Sequence, residues 1–203
     1  MNKKFIADFT LLLVVFVWGS TFVIVQDAIS FLTPFSFNAI RFFIAFVILL
    51  SIYMIFTKKD KLHFTKDSIK SGFVIGTWLC FGYGFQTFGL LYTTPAKAGF
   101  ITGLSVVLVP LFSFLLLKYA LNRNIILGVI FTAAGLYMMT TMQTSSFSIG
   151  DFLVLLCAVS FAMHIIMTSK YAAKHHAMPL TILQIGVVSL LSFIGSLLFE
   201  EPS

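Results

Sequence analysis

Long apolar stretches dominate the sequence and limit its fold more than any other feature. Seven of them approach the roughly 20 residues that a helix needs to cross a bilayer core about 30 Å thick. They cover residues 9–25, 35–56, 72–92, 98–117, 125–142, 152–169 and 180–199. Apolar residues make up 59% of the chain and charged residues only 10%, whereas a soluble domain is about half apolar. The sequence therefore predicts an all-α integral membrane protein without a separate soluble domain.

Basic residues gather on one side of the predicted membrane. Of the 13 Lys and Arg residues, 11 precede the first stretch or follow the second, fourth and sixth stretches. They are Lys3, Lys4, Lys58, Lys59, Lys61, Lys66, Lys70, Lys118, Arg123, Lys170 and Lys174. The positive-inside rule places this side, and the N-terminus, in the cytoplasm. The other side carries Asp27, Asp151, Glu200 and Glu201, with Lys97 as its single basic loop residue. The net charge of +6 thus follows from membrane orientation and needs no nucleic-acid partner.

The sequence restarts after the fifth stretch. Asp8-Phe9-Thr10-Leu11-Leu12-Leu13 opens the first stretch, and Asp151-Phe152-Leu153-Val154-Leu155-Leu156 opens the sixth, 143 positions later. A repeated unit with an odd number of spans enters the membrane inverted in its second copy, an arrangement typical of secondary transporters with a substrate site between the halves. We therefore predict a first repeat of five transmembrane helices over residues 1–143 and a partial second repeat of two over residues 144–203.

The third stretch is the least lipid-like. Trp78 and Gln86 share one helical face with several glycines, and Tyr83 lies among them. A glutamine in a membrane helix needs a hydrogen-bonding partner, and glycines let neighbouring helices approach closely. Two interpretations are open, tight helix packing with one interhelical hydrogen bond, or a polar cavity that this face borders.

Prolines shape the fourth stretch. Pro95 predicts a short external turn before it, because proline has no N–H for a helix interior. Pro110 predicts a kink that frees a backbone carbonyl, and such a break at membrane depth needs neighbouring protein or water. This stretch is therefore expected inside the bundle or at a cavity, with Thr102 as a candidate substrate contact.

Arg41 is the one charge well inside an apolar stretch, about 9 Å along the helix axis from Phe35. An ionisable residue within the membrane indicates a functional site by default. Asn38 lies one turn before it, and Lys97 is expected on the same membrane side, so the external mouth would suit a carboxylate or phosphate. The alternative is structural, with the arginine reaching toward the interface and pairing with Asp27.

Trp18 and Thr21 share a face of the first stretch. Trp18 is too deep for the interfacial aromatic belt, so it is expected to pack against another helix or to offer a stacking surface to the substrate. His164 occupies the repeat position of Thr21 and is either hydrogen-bonded or part of a proton relay. No Asp or Glu is expected at mid-membrane depth, which argues against proton coupling through an acidic residue.

Enzymatic and metal chemistry is not expected. Cys80 and Cys157 fall inside predicted spans without motif spacing, so neither a disulfide nor a metal site is indicated. No H-E-x-x-H motif occurs, and His175-His176 stands in a basic loop. We expect no metal, no cofactor and no catalytic residues.

Four short motifs follow one another along the chain. They are Trp18-Gly19-Ser20, Arg41-Phe42, the run from Gly89 to Ile101, and Val109-Pro110-Leu111. Their order, together with the repeat, resembles the EamA family of the drug/metabolite transporter superfamily over the whole chain. The resemblance implies an inner-membrane transporter of ten helices in two inverted repeats, which often exports amino acids or other small metabolites. The family pattern carries over to Trp18, Arg41, Tyr92, Ala96 and Pro110, and spans 1, 3 and 4 would face a central cavity.

The resemblance also sets the expected function. We expect alternating-access transport, most often export, of small metabolites such as amino acids, amines or carboxylates, with the lipid bilayer and a small-molecule substrate as partners. The seven spans correspond to the N-terminal portion of the family's ten, so this chain is expected to be an incomplete transporter. The alternative is a seven-helix receptor or sensor, although receptors of that span count usually place the N-terminus outside.

Overall fold

The computed structural model describes residues 3–57, 64–118, 122–142 and 147–200. Lys58, Lys59, Lys61 and Glu201, which entered the charge argument above, lie outside these ranges. The described part consists of helices joined by short turns, and it contains no strand, which confirms the predicted all-α membrane fold class. The helices are α1 Lys3–Ala28, α2 Pro34–Phe56, α3 Lys66–Leu90, α4 Pro95–Gly103, α5 Ser105–Leu117, α6 Arg123–Met142, α7 Ile149–Ala172 and α8 Ala177–Phe199.

Five helical segments of the described part are long and apolar enough to cross a membrane. They are Phe5–Ala28, Pro34–Phe56, Pro95–Leu116, Ile149–Ala172 and Ala177–Phe199. The third of these joins α4 and α5 into one span. Helix α3 is long enough at 25 residues but carries glycine and polar residues, and the apolar part of α6, Arg123–Gly135, is shorter. Their role as the third and fifth spans stays a prediction.

The helix α3 is the centre of the bundle. It packs along both α7 and α8, while α2 packs along α8 and α1 lies mainly against α4 and α3. The side chains of Ile75, Leu90, Val154, Ile182 and Val188 at these contacts are almost completely buried. Helices of the predicted second repeat therefore make the most extensive contacts with α2 and α3 of the predicted first repeat.

Glycines lie where the helices come closest. A methyl group at Gly76 would stand 2.7 Å from Cβ of Val187 and 2.8 Å from the carbonyl oxygen of Gln184 in α8. A methyl group at Gly150, in the first turn of α7, would stand 2.6 Å from the carbonyl oxygen of Gly89. These distances are shorter than van der Waals contact, so the backbones can approach this closely only without a side chain.

The outer surface of the bundle is apolar. Phe16, Phe31 and Phe199 are each more than three-quarters exposed, and many other large apolar side chains along α1, α2 and α8 are exposed with them. Exposed apolar area on this scale is suited to lipid rather than to water. The surface pattern thus agrees with the span assignment.

Glu200, directly after α8, binds the N-terminal turn of α2. Its carboxylate accepts hydrogen bonds from the Thr33 hydroxyl at 2.5 Å and from the backbone N–H groups of Phe35 at 2.7 Å and Ser36 at 3.0 Å. The first N–H groups of a helix have no partner within the helix, and the positive end of its dipole favours a carboxylate. This contact therefore joins the N-terminal end of α2 to the C-terminal end of α8.

Replacing Gly76 by alanine is expected to destabilise the bundle by about 1–3 kcal/mol, the usual cost of overpacking. The added methyl group would overlap a backbone carbonyl of α8, which cannot yield without separating the helices. Gly84→Ala in the same helix is the matched control, because nothing lies within 4 Å of its added methyl group. Thermal unfolding in detergent micelles measures the difference, and equal unfolding temperatures would contradict the close packing of α3 on α8.

Stability is expected to depend on the ionisation of Glu200. Burial acts to raise the pKa of its carboxyl, but hydrogen bonds from Thr33, Phe35 and Ser36 outweigh it and lower the pKa below its ordinary value of 4.5. Because the pKa is lower in the folded state than in the unfolded state, the contact contributes its full stability above the unfolded-state pKa. This stability is lost as pH falls through the folded-state pKa. The difference in unfolding free energy between wild type and Glu200→Gln should therefore shrink as pH is lowered from 6 to 3, the range of about ±1.5 units around that ordinary value. A constant difference across the range would rule out this role.

Candidate functional site

Three aromatic rings surround the guanidinium group of Arg41 in α2. Its Cζ lies 4.9 Å from the ring centre of Phe37, and 4.7 Å from the ring centres of both Phe42 and Tyr83. Cations within about 6 Å of a ring centre are attracted to the ring face. We call Phe37, Phe42 and Tyr83, with the arginine inside them, the Arg41 cage.

The Arg41 cage leaves part of the guanidinium without hydrogen bonds. Nε and Nη2 are buried, and neither has a partner within the described residues. Leaving a buried donor unpaired costs roughly 1–3 kcal/mol, and more when the donor is charged. Among the buried side-chain nitrogen and oxygen atoms of the described part, these two alone lack a partner.

Arg41 does not take Asp27 as a counter-ion. Asp27 is exposed, and the ion pairs within the described residues involve other side chains. The guanidinium sits between rings from α2 and α3 instead of reaching a carboxylate at the helix end. The alternative in which Arg41 reaches toward the interface and pairs with Asp27 is therefore wrong in its partner.

Tyr83 connects the Arg41 cage to α7. Its ring lies 4.8 Å from that of Phe42 and 5.2 Å from that of Phe161, which it meets nearly edge-on at 76°. The Phe161 ring occupies the place of a side chain at Gly82, where an added methyl group would stand 2.4 Å from a ring carbon. Close approach of α7 at Gly82 thus holds the ring of Phe161 against Tyr83.

Asn38 and Thr87 fasten α2 to α3 beside the Arg41 cage. Asn38 is fully buried, and its side-chain amide lies 3.2 Å from the Thr87 hydroxyl. That hydroxyl donates to the carbonyl oxygen of Tyr83 at 2.7 Å. The buried amide is thereby paired within the protein, and its position fixes the helical turn that precedes Arg41.

Gln86, Thr102 and Cys157 form a second buried polar group where α3, α4 and α7 meet. The Gln86 amide nitrogen lies 3.5 Å from the Thr102 hydroxyl and 3.9 Å from the Cys157 sulfur, and all three residues are buried. These contacts provide the interhelical hydrogen bond that the third stretch requires. They agree with the packing interpretation of Gln86.

A buried ion pair lies at the N-terminal end of α7. Nζ of Lys97 is 3.5 Å from Oδ2 of Asp151, and Asp151 also accepts hydrogen bonds from the Thr93 hydroxyl and from the backbone N–H of Ser148. The side chain of Lys97 is 10% exposed and that of Asp151 only 1%. Asp151 therefore neutralises Lys97, and the expected electropositive mouth does not include an unpaired lysine.

Trp18, Thr21 and Trp78 lie apart from the Arg41 cage. Trp18 is 41% exposed, with its ring 6.3 Å from that of Phe22 in the same helix. The Thr21 hydroxyl donates to the carbonyl oxygen of Trp18 at 2.6 Å, and Trp78 meets Phe81 nearly edge-on at 6.4 Å. Within the described residues, the hydrogen bonds and ring contacts of these three side chains stay inside their own helices.

The two prolines lie on either side of a break in the fourth span. Pro95 is the first residue of α4, preceded by Thr94, whose hydroxyl accepts a hydrogen bond from the Lys97 backbone N–H at 3.3 Å. The helix is interrupted at Leu104, and Pro110 lies inside α5. The interruption at Leu104 lies more than one helical turn before Pro110. The kink expected at Pro110 itself stays a prediction.

Phe37, Phe42 and Phe161 belong to the site but were not among the candidates from sequence. Phe37 and Phe42 stand four residues before and one residue after Arg41, so a search for aromatic residues at helical spacing around an intramembrane charge would find Phe37. Phe161 occupies the position in the predicted second repeat that corresponds to Trp18, so comparison of the two repeats could have identified it.

Comparison with known proteins identifies similar transporters. The model of the EamA-like transporter family matches residues 5–141. An uncharacterized transporter of Archaeoglobus fulgidus is 39% identical over 94% of this chain and 58% of its own length. The uncharacterized transporters YyaM and YoaV of Bacillus subtilis are 28% and 29% identical, over 91% and 92% of this chain and 62% and 65% of theirs. The chain thus spans less than two-thirds of the length of these curated relatives.

One solved crystal structure has a similar backbone. It aligns with a TM-score of 0.65 at 18% sequence identity, over 93% of this chain and 66% of that chain. At this identity the likeness establishes a common fold.

Replacing Asp151 by asparagine is expected to destabilise the protein by about 3–5 kcal/mol, because Lys97 would remain buried without its counter-charge. The double variant Lys97→Met/Asp151→Asn should recover much of this loss, since it removes the second charge as well. Unfolding free energies of both single variants and the double variant measure the coupling. Additive losses would show that the two side chains do not interact.

Proposed function

Because the chain belongs to the EamA-like transporter family, we propose that the protein moves a small organic metabolite across the membrane by alternating access, with Arg41 on the substrate path. The candidate substrates are amino acids, amines and carboxylates, and the proposed direction is export from the cytoplasm. The proposed location is a bacterial-type inner membrane, with the N-terminus cytoplasmic in agreement with the lysine distribution.

One observation carries this proposal, the buried Arg41 whose Nε and Nη2 have no hydrogen-bond partner within the described residues. A charge inside the membrane normally pairs with protein groups or marks a substrate pathway. Arg41 has ring contacts instead of a counter-ion, so an anionic substrate would supply the missing hydrogen bonds. This supports Arg41 as the substrate-binding group.

The buried state of Arg41 supports an alternating-access mechanism. Because Nε and Nη2 are closed off in this conformation, a substrate can reach them only after neighbouring side chains move. The neighbours come from α2, α3 and α7, through Phe42, Tyr83 and Phe161. A shift of α7 relative to α2 and α3 would therefore open or close the site.

The proposed repeat organisation fits this mechanism. We assign residues 1–143 to a first repeat and residues 144–203 to a partial second repeat, an assignment that the family match over residues 5–141 supports. The contacts of α3 with α7 and α8 would then lie between repeats. Rocking of one repeat against the other is the common motion of inverted-repeat transporters.

The relatives also favour transport over the alternatives. The curated proteins that this chain resembles carry transporter names, which favours a transporter over a receptor and over an enzyme. No observation on the described residues favours a receptor.

Flux measured in proteoliposomes tests the proposal. Because this chain is expected to be an incomplete transporter, it is reconstituted together with the remaining spans of a second repeat, and efflux of radiolabelled amino acids, amines and carboxylates is compared with that of protein-free liposomes. Arg41→Ala is expected to lower the flux of the transported solute by about tenfold or more, from the loss of hydrogen bonds to a charged group. Arg123→Ala is the matched control, because Arg123 is an exposed arginine at the start of α6.

Two further measurements keep the test decisive. Arg41→Lys retains the positive charge but not the planar group, so it should fold and still lose most of the flux. Thermal unfolding of each variant separates loss of activity from loss of fold. Flux of the extended wild-type protein that does not exceed the protein-free background for any solute, or undiminished flux in folded Arg41→Ala, would contradict the proposal.

A further inference from the structure

The unpaired edge of Arg41 indicates the chemical class of the substrate. Resting on the proposed function, we infer that Arg41 binds one carboxylate group of a monoanionic metabolite, in preference to a phosphate dianion or an organic cation. Three features of Arg41 point to a carboxylate: the guanidinium atoms that are unpaired, the rings that surround the guanidinium group, and the charges nearby.

The two unpaired atoms form one edge of the guanidinium plane. Nε and Nη2 are neighbours in that plane, and their N–H groups point the same way, as a fork. This fork matches the two oxygens of a carboxylate, which can accept both hydrogen bonds at once. Had the unpaired atoms been on opposite edges, no single carboxylate could have satisfied both of them.

The Arg41 cage occupies the space around the guanidinium group. Phe37, Phe42 and Tyr83 all have ring centres within 4.9 Å of Cζ. A ligand that stacked on the guanidinium would have to compete for this space with rings from α2 and α3. Nε and Nη2 are themselves buried in this conformation, so a ligand that reaches them after neighbouring side chains move must accept hydrogen bonds in the guanidinium plane.

The charge balance favours a single negative charge. Lys97, the other cation considered for the substrate site, is already paired with the carboxylate of Asp151. Asn38, the polar residue one turn before Arg41, is engaged with Thr87. The groups found around the Arg41 guanidinium are the uncharged rings of Phe37, Phe42 and Tyr83. A carboxylate would balance this charge, whereas a dianion would bury one excess charge at a cost of several kcal/mol.

Chemical labelling can report on Arg41 directly, because the sequence has two arginines, Arg41 and Arg123. Phenylglyoxal modifies accessible arginine side chains, and peptide mass spectrometry can follow the two sites separately. The full chain in proteoliposomes is labelled with and without pairs of probes that differ only in the carboxyl group. The pairs are acetate and acetamide, L-leucine and L-leucinamide, and benzoate and benzamide, with methyl phosphate as a dianion probe.

We expect at least one carboxylate to slow the labelling of Arg41 by about tenfold relative to its amide, the ratio given by hydrogen bonds to a charged group. Methyl phosphate above its second pKa should protect less than that carboxylate. The labelling rate of Arg123 should stay the same with every probe, since this arginine is exposed and lies in α6, which packs against α4 and α5.

Three results would overturn the inference. Equal protection by a carboxylate and its amide would mean that the site does not recognise the carboxyl group. Stronger protection by methyl phosphate would indicate a dianion site, and the absence of protection by every carboxylate would leave Arg41 as a structural group. If flux of an amine persisted while no carboxylate protected Arg41, this inference would fail and the proposed transport would stand. If carboxylates protected Arg41 but no solute was transported, the proposed function would fail instead.

Discussion

The close approach of α3 to α7 and α8 is the constraint on which the rest of the structure depends. Burial of apolar area does not drive helices together in lipid, so packing and interhelical hydrogen bonds must hold them. Glycine at positions such as Gly76 and Gly82 lets side chains of α8 and α7 enter the space of a missing side chain. Because Phe161 enters at Gly82, it packs on Tyr83, and Tyr83 in turn faces the guanidinium of Arg41. The surroundings of Arg41 in α2 therefore depend on how closely α7 packs against α3 at Gly82.

Arg41 differs from the other buried charged side chains of the described part in the hydrogen bonds that it lacks. Asp151 and Glu200 lie at helix ends, and each is surrounded by donors that stabilise its carboxylate. Lys97 is neutralised by Asp151. Arg41 has aromatic faces around it but no hydrogen bonds for one edge within the described residues. The contrast between these paired charges and the unpaired, buried edge of Arg41 supports the proposal that a substrate supplies the missing hydrogen bonds.

Hydropathy predicted the helices well wherever an apolar run coincides with the helix. The second stretch, predicted over 35–56, is α2 Pro34–Phe56, whereas α3 begins at Lys66, six residues before the predicted start, because the capping box of Thr65 and Ser68 extends it beyond the apolar run. Arg41 was identified as a candidate because a charge within an apolar stretch is visible in one dimension. The pairing of Lys97 with Asp151 was not predicted from the sequence, because it depends on how helices that are far apart in sequence pack together. The faces of α1 and α3 that carry Trp18 and Trp78 were assigned from periodicity alone, and a helix that is apolar on all sides does not reveal which face meets which neighbour.

The central claim is that the Nε and Nη2 edge of Arg41 is completed by a carboxylate of the substrate. Labelling the protein with ¹⁵N-arginine gives one Nε–H resonance for each of its two arginines, so NMR spectra can observe this edge without interference. Adding the transported carboxylate should shift the Nε–H resonance of Arg41 downfield, as expected for a new charge-assisted hydrogen bond, and leave that of Arg123 in place. An Arg41 resonance that stays unchanged, or that responds equally to the matching amide, would contradict the account.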